Sequence, residues 1–250
     1  LYHSFLQPDK LPSHPMQADL SLPIRISRDT DFQKFISDSL NKMDTGVVRV
    51  SAVSDEIDFH DFAEKSHLPK KLIQDIEEKG HGMFHIGGKY YLFGEKKENR
   101  MMLVQIKFEH RLNSKSVEFD LEDESDGTQR LLDLLPMLFA MDKKAASLYL
   151  VDEIDRSLHT SLSKYLLRLF LDRSADTNNQ IIYTAHDVNL IDLNSFSQDE
   201  IWFVEKKLTG ETTIKPMSDF DINEDRDVLK AYLNGRFGAV PVIKGGNGCS

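Results

Sequence analysis

The chain has 250 residues, 40% of them hydrophobic and 29% charged, enough to bury one large core or two small ones without covalent staples. A lone cysteine, Cys249, excludes an intramolecular disulfide and points to the cytoplasm, while the lack of any apolar run of about 18 residues or secretory leader argues against membrane insertion. A net charge of −10, from 31 Lys and Arg against 41 Asp and Glu, disfavours broad adhesion to nucleic acid or anionic lipid and leaves only local basic patches as a route to nucleic acid.

Leu1 stands where a start methionine would, so the expectation is that a longer protein continues upstream. Residues 1–27 carry Pro8, Pro12, Pro15 and Pro23 with little periodicity and read as an extended connecting segment. Over 31–43 the residues Phe32, Phe35, Ile36, Leu40 and Met43 recur at helical spacing, with Asp29 or Thr30 as N-cap and Gly46 as terminator. Residues 47–53 read as a strand, and 62–79 as an amphipathic surface helix with Leu68, Leu72, Ile73 and Ile76 on one face. Residues 84–93 form a hairpin about Gly87-Gly88, and 101–108 and 116–121 are further strands. The pattern then changes to helix 128–141, strand 147–151, helix 159–172, strand 180–185, strand 201–205 and a turn near Thr209-Gly210. Such alternation predicts a mostly parallel sheet covered by helices.

Three segments carry chemistry. The run Ser147-Leu148-Tyr149-Leu150-Val151-Asp152-Glu153 is an apolar strand ending in two carboxylates, placed where open α/β sheets bind ligands. Asp152 there can hold Mg²⁺, and Glu153 can orient and deprotonate a water; two solvated acids at a loop entrance are the structural alternative. The run Gln180-Ile181-Ile182-Tyr183-Thr184-Ala185-His186-Asp187 ends a second strand with an imidazole able to donate to a γ-phosphate oxygen. Upstream, Glu124-Ser125-Asp126-Gly127-Thr128-Gln129-Arg130 opens an apolar helix, which offers backbone N–H groups to phosphate or else is an ordinary N-cap. Pro136 is expected to bend that helix.

In this order the three elements resemble the ABC-type ATPase heads, SMC-like and often grouped with AAA-family ATP-binding proteins of bacterial defence, over residues 116–206. The resemblance implies that Ser125 and Gly127 belong to the nucleotide-contacting signature, Asp152 and Glu153 to the Walker B pair, 155–159 to the D-loop, and that His186 is the switch histidine. It implies ATP and Mg²⁺ as cofactors, Glu153 and His186 as catalytic groups, Asp152 as metal ligand, and Ser125, Gly127 and Asp155 as nucleotide-binding residues. Asp126 and Thr128 depart from the usual signature glycine and glutamine. Together with Asp44-Thr45-Gly46, Glu200-Ile201-Trp202-Phe203 and Gly235-Arg236-Phe237-Gly238, the pattern looks like a bacterial subgroup with anti-phage sensors paired with an effector.

No G-x-x-x-x-G-K followed by Ser or Thr occurs, and 82–90 is a hairpin decoy. The resemblance therefore implies a Walker A loop upstream of Leu1. The expected architecture is an α/β, P-loop NTPase, ABC-type half-core with a mostly parallel sheet over 116–250, preceded over 1–115 by a connecting segment, a helical arm or lid and a β-hairpin insertion. The implied activity is ATP hydrolysis driving a head-to-tail homodimer through signature and D-loop, with an effector or partner protein. A metal-dependent nuclease built on Asp152, Glu153, Asp155 and Asp187 is an alternative, as is a nucleotide-independent interaction module.

Overall fold

The computed structural model describes residues 22–65, 70–79, 82–86, 89–93, 100–113, 115–141, 146–207, 209–220, 225–235 and 237. They form two compact units. One takes the described residues up to Asp152 with Arg156–Leu158 and Leu169–Tyr183; the other takes Glu153–Asp155, His159–Arg168 and the described residues from Thr184 onward.

In the first unit, α1 (Leu22–Arg28) replaces the extended chain expected through residue 27. Pro23 sits in its first turn, where the missing N–H has no intrahelical partner to lose, and burial of Leu22 and Ile26 one turn apart favours the helix. Residues 1–21 lie outside the described residues. Helix α2 (Thr30–Lys42) starts at Asp29, whose Oδ1 accepts from the Phe32 amide at 2.9 Å. Its buried face is Phe32, Ile36 and Leu40. The exit turn places Asp44 at φ 57° and Gly46 at φ 80°, and Thr45 Oγ1 donates to Leu40 O and accepts from the Val47 amide.

Strand β1 (Val47–Asp58) leads to α3 (Phe59–Lys65) and α4 (Lys70–Lys79). The helix expected over 62–79 is therefore described as two, with 66–69 outside the described residues. Strands β2 (Gly82–Ile86) and β3 (Lys89–Phe93) pair antiparallel as expected, the Gly87-Gly88 turn again lying outside. With β4 (Arg100–Leu112) and β5 (Lys115–Asp120) they complete a five-stranded sheet of order β1-β4-β3-β2, β5 also pairing with β4.

Helix α5 (Asp126–Ala140) opens on polar residues and then turns largely apolar, with Leu131, Leu132, Leu134, Leu135 and Leu138 buried. It runs without a break through Pro136. Phe139 meets Phe32 edge to face at 5.0 Å, tying α5 to α2.

Strand β6 (Leu148–Val151), helix α6 (Thr160–Ser174) and strand β7 (Gln180–Tyr183) come next in the chain, and β6 pairs with β7 parallel. Only a crossover long enough to carry a helix lets consecutive strands run parallel. Among the described strands this is the parallel sheet. The remaining pairs are antiparallel; β4 and β5 are joined by a tight turn in which Asn113 takes φ 57°.

In the second unit, β8 (Trp202–Lys206) and β9 (Thr212–Pro216) form an antiparallel hairpin, and α7 (Asp225–Leu233) succeeds it. Phe203, Met217, Val228, Ala231 and Phe237 make the core, with Phe203 stacked on Phe237 at 4.3 Å. No helix among the described residues is long and apolar enough to cross a membrane.

Candidate active site

Two chain segments carry the candidate residues, one following β6 and one following β7. The register runs from Leu148 opposite Gln180 to Val151 opposite Tyr183, so the two strands end level with one another. Each strand gives way to a polar segment at that end: Asp152 and Glu153 after β6, Thr184, Ala185 and His186 after β7.

Within the second unit, Glu153 has φ 49°, a left-handed conformation that costs an L-residue about 1–2 kcal/mol. Thr184 holds it there. Thr184 Oγ1 accepts from the Glu153 amide at 2.8 Å, and Thr184 O accepts from the Ile154 amide at 2.9 Å. In that conformation Glu153 Oε1 lies 3.2 Å from His186 Nε2. The imidazole side chain is 81% exposed and the carboxylate 43%, so both face solvent rather than packing as core groups.

The loop carrying His186 is fixed from the other side. Asp155 Oδ2 accepts from the His186 amide at 2.9 Å and from the Asp187 amide at 2.7 Å, while Asp155 Oδ1 is buried with no hydrogen-bond partner among the described residues. Asp187 in turn accepts from the Thr160 hydroxyl, from the Asn189 amide at 2.9 Å and from Asn189 Nδ2 at 2.7 Å. Burial alone would raise the Asp187 carboxyl; the hydrogen bonds from Thr160 and Asn189, helped by Lys164, outweigh it and hold the group below the usual carboxylate range.

Of the two adjacent acids, Asp152 belongs to the first unit; it is exposed, and its carbonyl oxygen accepts from Arg130 at 2.9 Å. In the same unit Ser125 is the N-cap of α5, its Oγ accepting from the Thr128 amide at 3.1 Å and lying 2.9 Å from Thr128 Oγ1. Gly127, two residues on, is tightly approached by the 156–158 segment: a Cβ there would stand 3.0 Å from Ser157 O. Asp126 is exposed at the first turn of the helix.

The structure thus brings Glu153, Asp155 and His186 together. Asp155 reaches the loop backbone rather than solvent. Sequence reasoning gave no role to Thr184, Thr160 or Arg130, since none has a spacing that sets it apart from an ordinary strand, helix or loop residue.

A family model described as "AAA domain, putative AbiEii toxin, Type IV TA system" matches residues 2–192. The chain belongs to this AAA-domain family. No curated protein matches it. The AAA-domain match takes in β6, β7 and the whole span from Ser125 to His186, and stops before β8. A family of P-loop ATPases implies ATP and Mg²⁺. The second unit's side chains suit a phosphate ligand and a water: the Glu153 carboxylate is 43% exposed, and the His186 imidazole, 81% exposed, is able to donate to phosphate oxygen. In the first unit, Asp152 is an exposed carboxylate of the kind that holds a hydrated cation.

Proposed function

We propose that this chain is the C-terminal part of an ABC-type ATP hydrolase head that pairs head to tail with a second copy and signals to a partner protein in bacterial defence. The observation that carries the reading is the 3.2 Å approach of Glu153 Oε1 to His186 Nε2, with both groups open to solvent. Glu153 acts as the base, taking the proton of the attacking water, and His186 orients that carboxylate and donates to the transferred phosphoryl group. Asp152 is the residue to hold Mg²⁺ through water. ATP with Mg²⁺ supplies the phosphoanhydride whose cleavage makes the switch irreversible. Ser125 and Gly127 cover the nucleotide of the second copy, and the loop at 155–159 lies at the same dimer contact. Asp155 serves this arrangement through the backbone of the switch loop. The phosphate-binding loop, which has no match in the 250 residues, comes from a segment outside them.

The nuclease alternative needs Asp152, Glu153, Asp155 and Asp187 around cations. Asp155 and Asp187 are engaged by backbone amides and by Thr160 and Asn189, which gives both acids a task in fixing the loop and favours the ATPase reading.

The test is Glu153→Gln in the protein carrying its phosphate-binding segment. Turnover should fall by a factor of about 10² or more, the usual worth of a positioned base, while ATP binding and ATP-dependent dimerisation persist. Near-normal turnover would remove Glu153 from the role. Failure of the unaltered protein to bind ATP at all would favour a nucleotide-independent interaction module.

A further inference from the structure

We propose that Thr184 is a positioning residue for the reaction: its hydroxyl and carbonyl clamp the two amides at the end of β6 and so fix the direction in which Glu153 points. The inference deepens the ATPase reading and rests on it for its catalytic half. Its structural half stands by itself.

Glutamate has no intrinsic preference for positive φ, and its short-range polar options are poorer than those of Asn or Asp, which visit this region more readily. A residue held there persists only when its surroundings over-determine it. Here one residue supplies two bonds to successive amides. Thr184 Oγ1 takes the Glu153 amide at 2.8 Å, and Thr184 O takes the next amide, that of Ile154, at 2.9 Å. The hydroxyl bond acts on the strained peptide itself, whereas the carbonyl bond holds the amide that follows it. Rotating φ of Glu153 back to the extended or helical region would swing its Cβ away from the side on which His186 Nε2 now lies 3.2 Å from Oε1.

The other contacts around the pair act on different atoms. Asp155 Oδ2 holds the amides of His186 and Asp187, and the Thr160 hydroxyl donates to Asp187; these fix the histidine's loop without touching the glutamate backbone. Thr184 is therefore a group whose side chain acts directly on the glutamate backbone. Serine can replace it, since only the hydroxyl is needed. Valine cannot, although it has the same shape and an equal liking for a strand end.

The experiment compares Thr184→Val and Thr184→Ser by residue-resolved amide exchange in the 250-residue chain, and by steady-state turnover in the protein used for Glu153→Gln. In Thr184→Val the Glu153 amide should exchange about tenfold faster, the loss of one hydrogen bond, while the Ile154 amide, bonded to the retained carbonyl, stays protected. Thr184→Ser should leave both as they were. In turnover, Thr184→Val should lower kcat about tenfold or more with KM within about twofold, and Thr184→Ser should restore kcat. Unchanged exchange at Glu153 in Thr184→Val overturns the clamp, as does equal acceleration at Ile154, which would report general loosening. Accelerated exchange with unchanged kcat overturns the catalytic role. If Glu153→Gln itself keeps its turnover, the ATPase reading fails, and the exchange arm still decides what Thr184 does.

Discussion

A Cβ built on Gly127 would stand 3.0 Å from the carbonyl oxygen of Ser157, and that oxygen belongs to a residue itself in the left-handed region at φ 58°. Backbone cannot rotate aside as a side-chain end can. The glycine is therefore required by packing between the first turn of α5 and the 156–158 segment, whatever it contributes to nucleotide contact. Gly127→Ala should destabilise the chain by about 1–3 kcal/mol, the usual cost of forcing a methyl into filled space. Urea unfolding with an unchanged m-value would measure it; a midpoint equal to that of the unaltered chain would show that the segment yields freely.

Ser125 has a similar double duty, because its Oγ caps α5 through the Thr128 amide at 3.1 Å. Ser125→Ala should cost about 1 kcal/mol by removing the cap, and Ser125→Asn should recover most of that. ATP-dependent dimerisation separates the two duties. If the hydroxyl also meets nucleotide of a second copy, the Asn variant will regain stability and not dimerisation; regaining both would reduce Ser125 to a cap.

Much of this arrangement was legible in the sequence because it depends on periodicity and on strand ends. The N-cap at Asp29, helix α2, the paired strands β6 and β7, and the approach of Glu153 to His186 all arise from apolar runs and from the residues just beyond them. Helix α1 was not legible. Four prolines outweighed a two-residue apolar repeat, and only the burial of Leu22 and Ile26 reverses the balance. Nor was the left-handed turn at Glu153, since a pattern of side chains reports faces and not the φ of one residue. Asp155 shows the same limit: an acid in a polar loop reads as a ligand for solvent species, yet the folded loop turns it onto two amides.

That commitment makes Asp155 testable apart from catalysis. Asp155→Ala leaves the amides of His186 and Asp187 without their acceptor, at a cost of about 1 kcal/mol, since one bond is exposed and the other part-buried. Asp155→Asn keeps a carbonyl oxygen in place and should cost less than half as much. Thermal unfolding gives the ranking, and amide exchange at 186 and 187 localises it. Equal behaviour of Asn and Ala would mean that charge, rather than the acceptor, holds the loop.

Asp133 gives the pH prediction. It lies on α5, where burial pushes its carboxyl above the usual carboxylate range against the opposing pull of Arg130 and Arg156. A raised folded value means that the native state binds the proton more tightly than the unfolded chain does. Its contribution to stability is therefore fully present below the ordinary carboxylate value, near 3.9, and is lost as pH rises through the folded value. Asparagine has no proton to lose. The stability of Asp133→Asn relative to the unaltered chain should accordingly increase as pH is raised from about 3.5 and level off above the raised folded value. Asp187 and Asp192, held low by hydrogen bonds, act in the opposite direction, but they are common to both proteins and cancel in the difference. The measurement is the difference in Tm between the two proteins, taken at steps across that range in one buffer series. A difference that shrinks or changes sign as pH rises would show that Arg130 and Arg156 outweigh burial, and that the carboxylate is paired rather than penalised.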